Sequence, residues 1–178
     1  MRDDLAFAVW SRERQQRIEA VLDSLLAPGA GGAPSRLLSA MRYSTLGGGK
    51  RMRPLLAYAA AELTGGLPDD ADACAAAVEL IHAYSLIHDD LPCMDDDELR
   101  RGKPTCHVAY GVATALLAGD ALQSLAFAVL GRSRNAAGDA CAVLAASAGH
   151  DGMAGGQQLD LDATGTAIDI DSLTRLHA

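Results

Sequence analysis

Aromatic side chains are scarce: two Phe, one Trp and four Tyr in 178 residues, or 4% of the chain. β-branched residues are also sparse, and sheets of this size lean on both kinds. Alanine and leucine dominate the 49% apolar fraction instead, which favours helices packed on helices. Cysteines are few. Cys74, Cys93, Cys106 and Cys141 form no C-x-x-C pair and no zinc spacing, so they read as reduced thiols of a cytoplasmic protein. Positive charge is short, with 15 Lys and Arg against 23 Asp and Glu and a formal net charge of −8. A nucleic-acid partner is not expected, because a phosphate backbone needs a basic face; a local basic spot can still take a small anion. The longest apolar stretch, Val112 to Leu130, is interrupted by Asp120 and Gln123, so no membrane span is expected. The start, Met1-Arg2-Asp3-Asp4, lacks the basic and apolar regions of a signal peptide. The length favours one domain.

What is present is concentrated between Glu79 and His107. An apolar helical approach (Leu80, Ile81, Tyr84, Ile87) delivers six acids in ten residues: Asp89, Asp90, Asp95, Asp96, Asp97 and Glu98. Arg100, Arg101 and Lys103 follow at once. Crowded carboxylates repel, so a fold holds them together with cations or water. The arrangement suits Mg²⁺, which takes oxygen ligands and keeps part of its shell for phosphate oxygens; the alternative is a solvated acidic loop. Asp89 and Asp95 would sit roughly 600° apart on an ideal helix and could not share a face. Pro92 disfavours helix at Leu91, so the chain can break there and bring Asp95 back toward Asp89. His82, Ser85 and Asp89 recur at spacings of three and four and share a helix face. For His82 alone, a buried ring bonded to a carbonyl is the competing reading, and His88 carries no assignment.

A second chemical stretch is Gly47-Gly48-Gly49-Lys50-Arg51-Met52-Arg53-Pro54. A helix is expected to begin about here, with Pro54 in its first turn. Unpaired N–H groups and the helix dipole favour an anion at such a start. A plain glycine turn with solvated cations is the alternative. The spacing is not that of the nucleotide-hydrolase phosphate loop. Other helices are predicted over residues 3–26, 35–44, 55–63, 68–89, 108–130 and 136–149. The Pro- and Gly-rich residues 28–34 read as the most flexible linker.

Together, Asp89-Asp90-Leu91-Pro92-Cys93-Met94-Asp95, Leu99-Arg100-Arg101-Gly102-Lys103-Pro104-Thr105 and the G-G-K-x-x-R-P segment resemble the trans-isoprenyl diphosphate synthase (polyprenyl synthetase) family, most of all its bacterial farnesyl-forming branch. Similarity runs from about Met41 to the last residue, and includes Gly119-Asp120-Ala121-Leu122 and Gly152 to Leu161. The resemblance implies an all-α isoprenoid synthase bundle and Mg²⁺-dependent condensation of isopentenyl diphosphate with an allylic diphosphate. It implies that Asp89 and Asp95 hold Mg²⁺, with Asp90 behind them. Arg100 would contact the allylic diphosphate, and Lys50, Arg53, His82 and Arg101 the isopentenyl diphosphate. Tyr84, five residues before Asp89, would be the floor that stops the product at fifteen carbons. Gln157 and Asp160 would line the cavity or serve packing. A homodimer is also implied.

The resemblance also sets an expectation about extent. Family members continue past the point matching Ala178 to a lysine-threonine segment, a second aspartate-rich motif and further helices. Residues 1–178 are therefore expected to form a single all-helical domain that is the N-terminal portion of the bundle, incomplete at its C-terminus. Two functions stay open: the N-terminal part of a prenyltransferase, or a non-catalytic diphosphate-binding or interaction subunit. The intact Lys50, Arg53, Asp89, Asp95, Arg100 and Arg101 set favours the first. A geranylgeranyl-forming enzyme is the alternative product class. A terpene cyclase fits less well, since it has no use for a second diphosphate site.

Overall fold

A computed structural model describes residues 2–29, 32–133 and 137–177. The chain is all-α apart from one short hairpin. It divides into two compact units, Met1–Asn135 and Ala136–Ala178. The first unit holds α1 (Arg2–Leu25), α2 (Ser35–Thr45), α3 (Met52–Leu63), α4 (Pro68–Asp89), β1 (Leu99–Arg100), β2 (Lys103–Pro104), α5 (Cys106–Tyr110) and α6 (Val112–Gly131). The second holds α7 (Ala137–Ala148), α8 (Met153–Ala163) and α9 (Ile170–His177). Ala30, Gly31 and Ala136, part of the expected linker and the start of a predicted helix, lie outside the described residues.

In the first unit α4 is central and packs on α1, α2, α3 and α6. Small side chains make this possible. Ala75, Ala76, Ala77 and Leu80 of α4 and Ala115, Ala118, Leu122 and Ala126 of α6 are fully buried, so the helix axes can come close. By length and composition α6 could cross a membrane; here it packs against α2, α4 and α5. Polar ties join α1 to the rest. Arg14 and Trp10 both donate to Glu62 of α3, at 2.8 and 2.9 Å. Arg17 donates to Asp72 of α4 at 2.7 Å, and the same carboxylate accepts the hydroxyl of the fully buried Tyr58 at 2.8 Å.

The helix over 108–130 is in fact two. Gly111, at φ 89°, ends α5 and starts α6, a backbone state that a glycine adopts without strain. The helix expected to start near Pro54 begins at Met52, with Pro54 in its first turn, and runs to Leu63. No element was predicted for α8, α9 or the antiparallel hairpin β1–β2, which pairs Leu99 with Pro104 and Arg100 with Lys103. Its two-residue turn, Arg101-Gly102, has φ values of 54° and 76°. Positive φ at both positions is the I′ pattern that matches strand twist.

The tightest point between α4 and α6 is Gly119 against His88. A Cβ on Gly119 would lie 2.1 Å from His88 Nε2. The ring is held on both sides: Nε2 donates to the Leu116 carbonyl at 3.1 Å, and Tyr84 meets it edge-on at 5.2 Å. Gly119→Ala should therefore destabilise the protein by about 1–3 kcal/mol from overpacking, despite its better helix propensity. Urea unfolding followed by circular dichroism measures this, and an equal or raised midpoint would show that the ring is free to move.

Candidate active site

The site begins where α4 ends. The helix stops at Asp89, and Pro92 turns the chain so that the Asp95 amide donates to the Asp89 carbonyl at 2.8 Å. The return of Asp95 toward Asp89 that Pro92 suggests is present at the backbone level. Desolvation first, then the negative field of Asp95, raises the Asp89 carboxyl above its ordinary value, with Arg100 opposing. A divalent cation would relieve that crowding, and hard carboxylate oxygens are the donors Mg²⁺ takes. Among the described residues no group of three or more His, Cys, Asp or Glu side chains is placed to hold a metal ion. Asp96, Asp97 and Glu98 are exposed.

Asp90 faces inward. It is 3% exposed, and Arg100 grips it through Nε, at 2.9 and 3.0 Å, and Nη2, at 2.6 Å. That bond holds the guanidinium above its usual range despite burial. The next residue goes elsewhere because it sits in the turn. Arg101 Nη1 donates to the Gly48 carbonyl at 3.0 Å and lies against Gly49, where a Cβ would come within 2.7 Å of it. The hairpin thus splits two adjacent arginines between the end of α4 and the glycine loop. Tyr43 of α2 pins the hairpin by donating to the Pro104 carbonyl at 2.7 Å. The glycines have a use that composition did not reveal: Gly49, at φ 144°, gives room to Arg101.

Lys50, Arg53, His82 and Arg101 line one cleft of about 540 Å³, with Glu79 at its wall. Four of the residues named from sequence are thereby brought together from the glycine loop, α3, α4 and the hairpin. Lys50 and Arg53 are exposed. Burial first, then the Arg53 charge, lowers the His82 ring below its ordinary value, while Glu79 opposes. Ser85 and Asp89 share the helix face with His82 but are not among this cleft's walls. Ser85 Oγ donates back to the His82 carbonyl at 3.0 Å. Asp90 and Arg100 border a smaller neighbouring cavity of about 130 Å³, which Arg101 also touches. Tyr84 is half-buried against His88, whose ring it meets edge-on. In the second unit Gln157 is half-buried and Asp160 exposed.

Two residues of the site were not singled out from sequence. Arg51 is buried and in the left-handed region at φ 50°, and Glu79 is its partner. The signal available was a cation and an acid on otherwise buried stretches, which demand each other's charge.

A family model described as polyprenyl synthetase matches residues 34–177. The chain belongs to that family. It is 53% identical over 150 residues to farnesyl diphosphate synthase of Escherichia coli, a match covering 79% of the chain and 49% of the relative. It is 44% identical over 177 residues to the chloroplastic geranylgeranyl pyrophosphate synthase of Capsicum annuum, covering 96% of the chain and 47% of the relative. Among solved structures, an apo FPP/GFPP synthase of Zymomonas mobilis superposes with a TM-score of 0.88 at 42% identity, over 97% of the chain and 64% of the other. The chain thus spans about half the length of the curated relatives it matches, and its helices have the isoprenoid synthase fold.

The depressed basicity of His82 has a measurable sign. Between its folded pKa and the ordinary value near 6.5, the unfolded chain binds more protons than the folded one, so stability rises with pH across that window. In NMR titration the His82 Cε1 proton should move with a midpoint below 6.5. A midpoint above 6.5 would mean that Glu79, not burial and Arg53, governs the ring.

Proposed function

We propose that this chain supplies the isopentenyl diphosphate site and one magnesium-binding wall of a prenyltransferase that extends an allylic diphosphate to farnesyl diphosphate. The observation that carries this is the cleft that gathers Lys50, Arg53, His82 and Arg101. Three fixed cations and a hydrogen-bonding ring suit a diphosphate, which has more charge than one cation can balance. His82, uncharged near neutrality by the direction of its shift, would donate one hydrogen bond rather than add a fourth charge.

Asp89 and Asp95 would hold Mg²⁺, with Asp90 keeping Arg100 in place behind them. Bound there, the ion would offset negative charge on a departing allylic diphosphate. Arg100, charged at every working pH, would hold oxygens of the same group. Lys50, Arg53 and Arg101 would fix isopentenyl diphosphate so that its double bond faces the allylic carbon, turning a bimolecular encounter into a positioned one. The apolar flanks of α4 and α6 would keep water from the allylic cation. Tyr84 would close the chain pocket, its ring held by His88, and that favours a fifteen-carbon product over the longer one of geranylgeranyl synthases. A cytoplasmic homodimer with these two substrates goes with the reading.

Incubating the chain with Mg²⁺, isopentenyl diphosphate and geranyl diphosphate should yield farnesyl diphosphate that disappears with a chelator. Absence of product would leave a diphosphate-binding chain without turnover. Where product forms, Lys50→Ala should raise KM for isopentenyl diphosphate by about tenfold or more, the loss of one charge-assisted contact. Tyr84→Ala should shift the product mixture to twenty carbons and beyond. Product of unchanged length would remove Tyr84 from the floor.

A further inference from the structure

Arg51 lies between the two cations that face the cleft, yet its own charge is turned inward. Its side chain is 5% exposed. Nε donates to Glu19 Oε1 of α1 at 2.7 Å, Nη1 to Glu79 Oε1 of α4 at 2.6 Å, and Nη2 to the Thr45 carbonyl at the end of α2 at 2.8 Å. Three helices therefore meet at one guanidinium. The backbone at Arg51 is left-handed, a state that strains a residue with a Cβ, and it persists because the side chain is held on every side. The neighbouring Lys50 carbonyl is also fixed, accepting from Gln15 Nε2 of α1 at 2.9 Å.

The second observation concerns sign. Glu79 is 6% exposed and forms part of the wall of the cleft that gathers Lys50, Arg53, His82 and Arg101. A buried carboxylate is a poor neighbour for an anion, because attraction and repulsion are strong where water is excluded. Its field reaches the cleft, since it acts on the His82 ring against burial and Arg53.

We infer that Arg51 is a positioning residue for the anion cleft, setting Lys50 and Arg53 on either side of a locked turn and neutralising the Glu79 carboxylate that would otherwise repel the ligand. The inference rests on the diphosphate reading of the cleft. Arg51 borders the same cleft, but its side chain is 5% exposed and each of its three nitrogens donates to Glu19, Glu79 or the Thr45 carbonyl, so it acts by holding the wall in place.

Calorimetric titration of the chain with inorganic diphosphate tests this without turnover. Lys50→Ala should weaken binding about tenfold, which checks the cleft. Arg51→Met should weaken it by a similar factor, and adding Glu79→Gln to Arg51→Met should recover most of that loss. Glu79→Gln alone keeps an oxygen for Arg51 Nη1 to donate to, leaves Glu19 in place and takes one negative charge from the cleft wall, so that less of the Arg51 charge is balanced. It should tighten binding about threefold, the effect of one charge at a few ångströms in a wet cleft. A purely structural pin would give the opposite sign, so this variant decides the matter even if Arg51→Met fails to fold. Weaker binding by Glu79→Gln, or unchanged binding by a folded Arg51→Met while Lys50→Ala loses affinity, would overturn the inference and leave the cleft assignment standing. No binding by the unsubstituted chain, or full binding by Lys50→Ala, would overturn the diphosphate reading and the inference with it.

Discussion

The pairing of the buried Asp90 with Arg100 is the interaction on which the site depends. Asp90 ends α4 inside the protein, and a buried carboxylate without a partner is among the most costly groups a fold can hold. Arg100 answers it with two donor nitrogens, and thereby fixes the hairpin on the end of α4. The turn then carries Arg101 to the glycine loop. One electrostatic requirement at the end of one helix thus positions a second cation next to Gly48 and Gly49, far away in sequence. Removing Arg100 would leave the Asp90 charge buried without a partner, and removing either residue would loosen the only strand pair among the described residues.

Around that pair, a strongly acidic protein keeps an island of positive charge. Two structural arginines (Arg17 and Arg51) are consumed by carboxylates on neighbouring helices, and Arg100 is paired with Asp90 through Nε and Nη2. Lys50 and Arg53 stand exposed at the cleft instead. The division follows from backbone placement. Arg51 is turned inward by its left-handed backbone and by Glu19 and Glu79, whereas Lys50 and Arg53 lie on either side of that turn. Net charge alone describes none of this, since what a ligand meets is the local field.

Much of this arrangement was legible in the chain. Helix content followed from the abundance of alanine and leucine, and the run from Pro68 to Asp89 showed its period. The break at Pro92 followed from a steric rule about the residue before proline. The gathering of Lys50, Arg53, His82 and Arg101 came from a family resemblance, because no local rule connects the glycine loop to the hairpin. The hairpin itself was missed: its strands have two residues each, too short for a period, and the sole local sign was Gly102 after two arginines. The inward turn of Arg51 was hidden for a related reason. Between Lys50 and Arg53 it reads as one more exposed cation, and only the acids brought from α1 and α4 distinguish it. The split at Gly111 needed its φ value, since an apolar pattern runs through it without interruption.

The contact between His88 and Gly119 has a consequence for how this sequence can drift. The ring occupies the volume that a side chain at position 119 would take, so the two sites share one fixed allotment of space. A methyl group at 119 becomes tolerable only after the ring at 88 has shrunk, and a smaller residue at 88 leaves a hole that 119 can fill. Neither step is neutral by itself, because the first overpacks and the second opens a cavity between helices. The two positions should therefore change together or not at all, and His88 is tied to Tyr84 by the same edge-on contact. Change at residue 84 is thus coupled to the spacing of two core helices, which makes it a matter of correlated substitution rather than of one residue at a time.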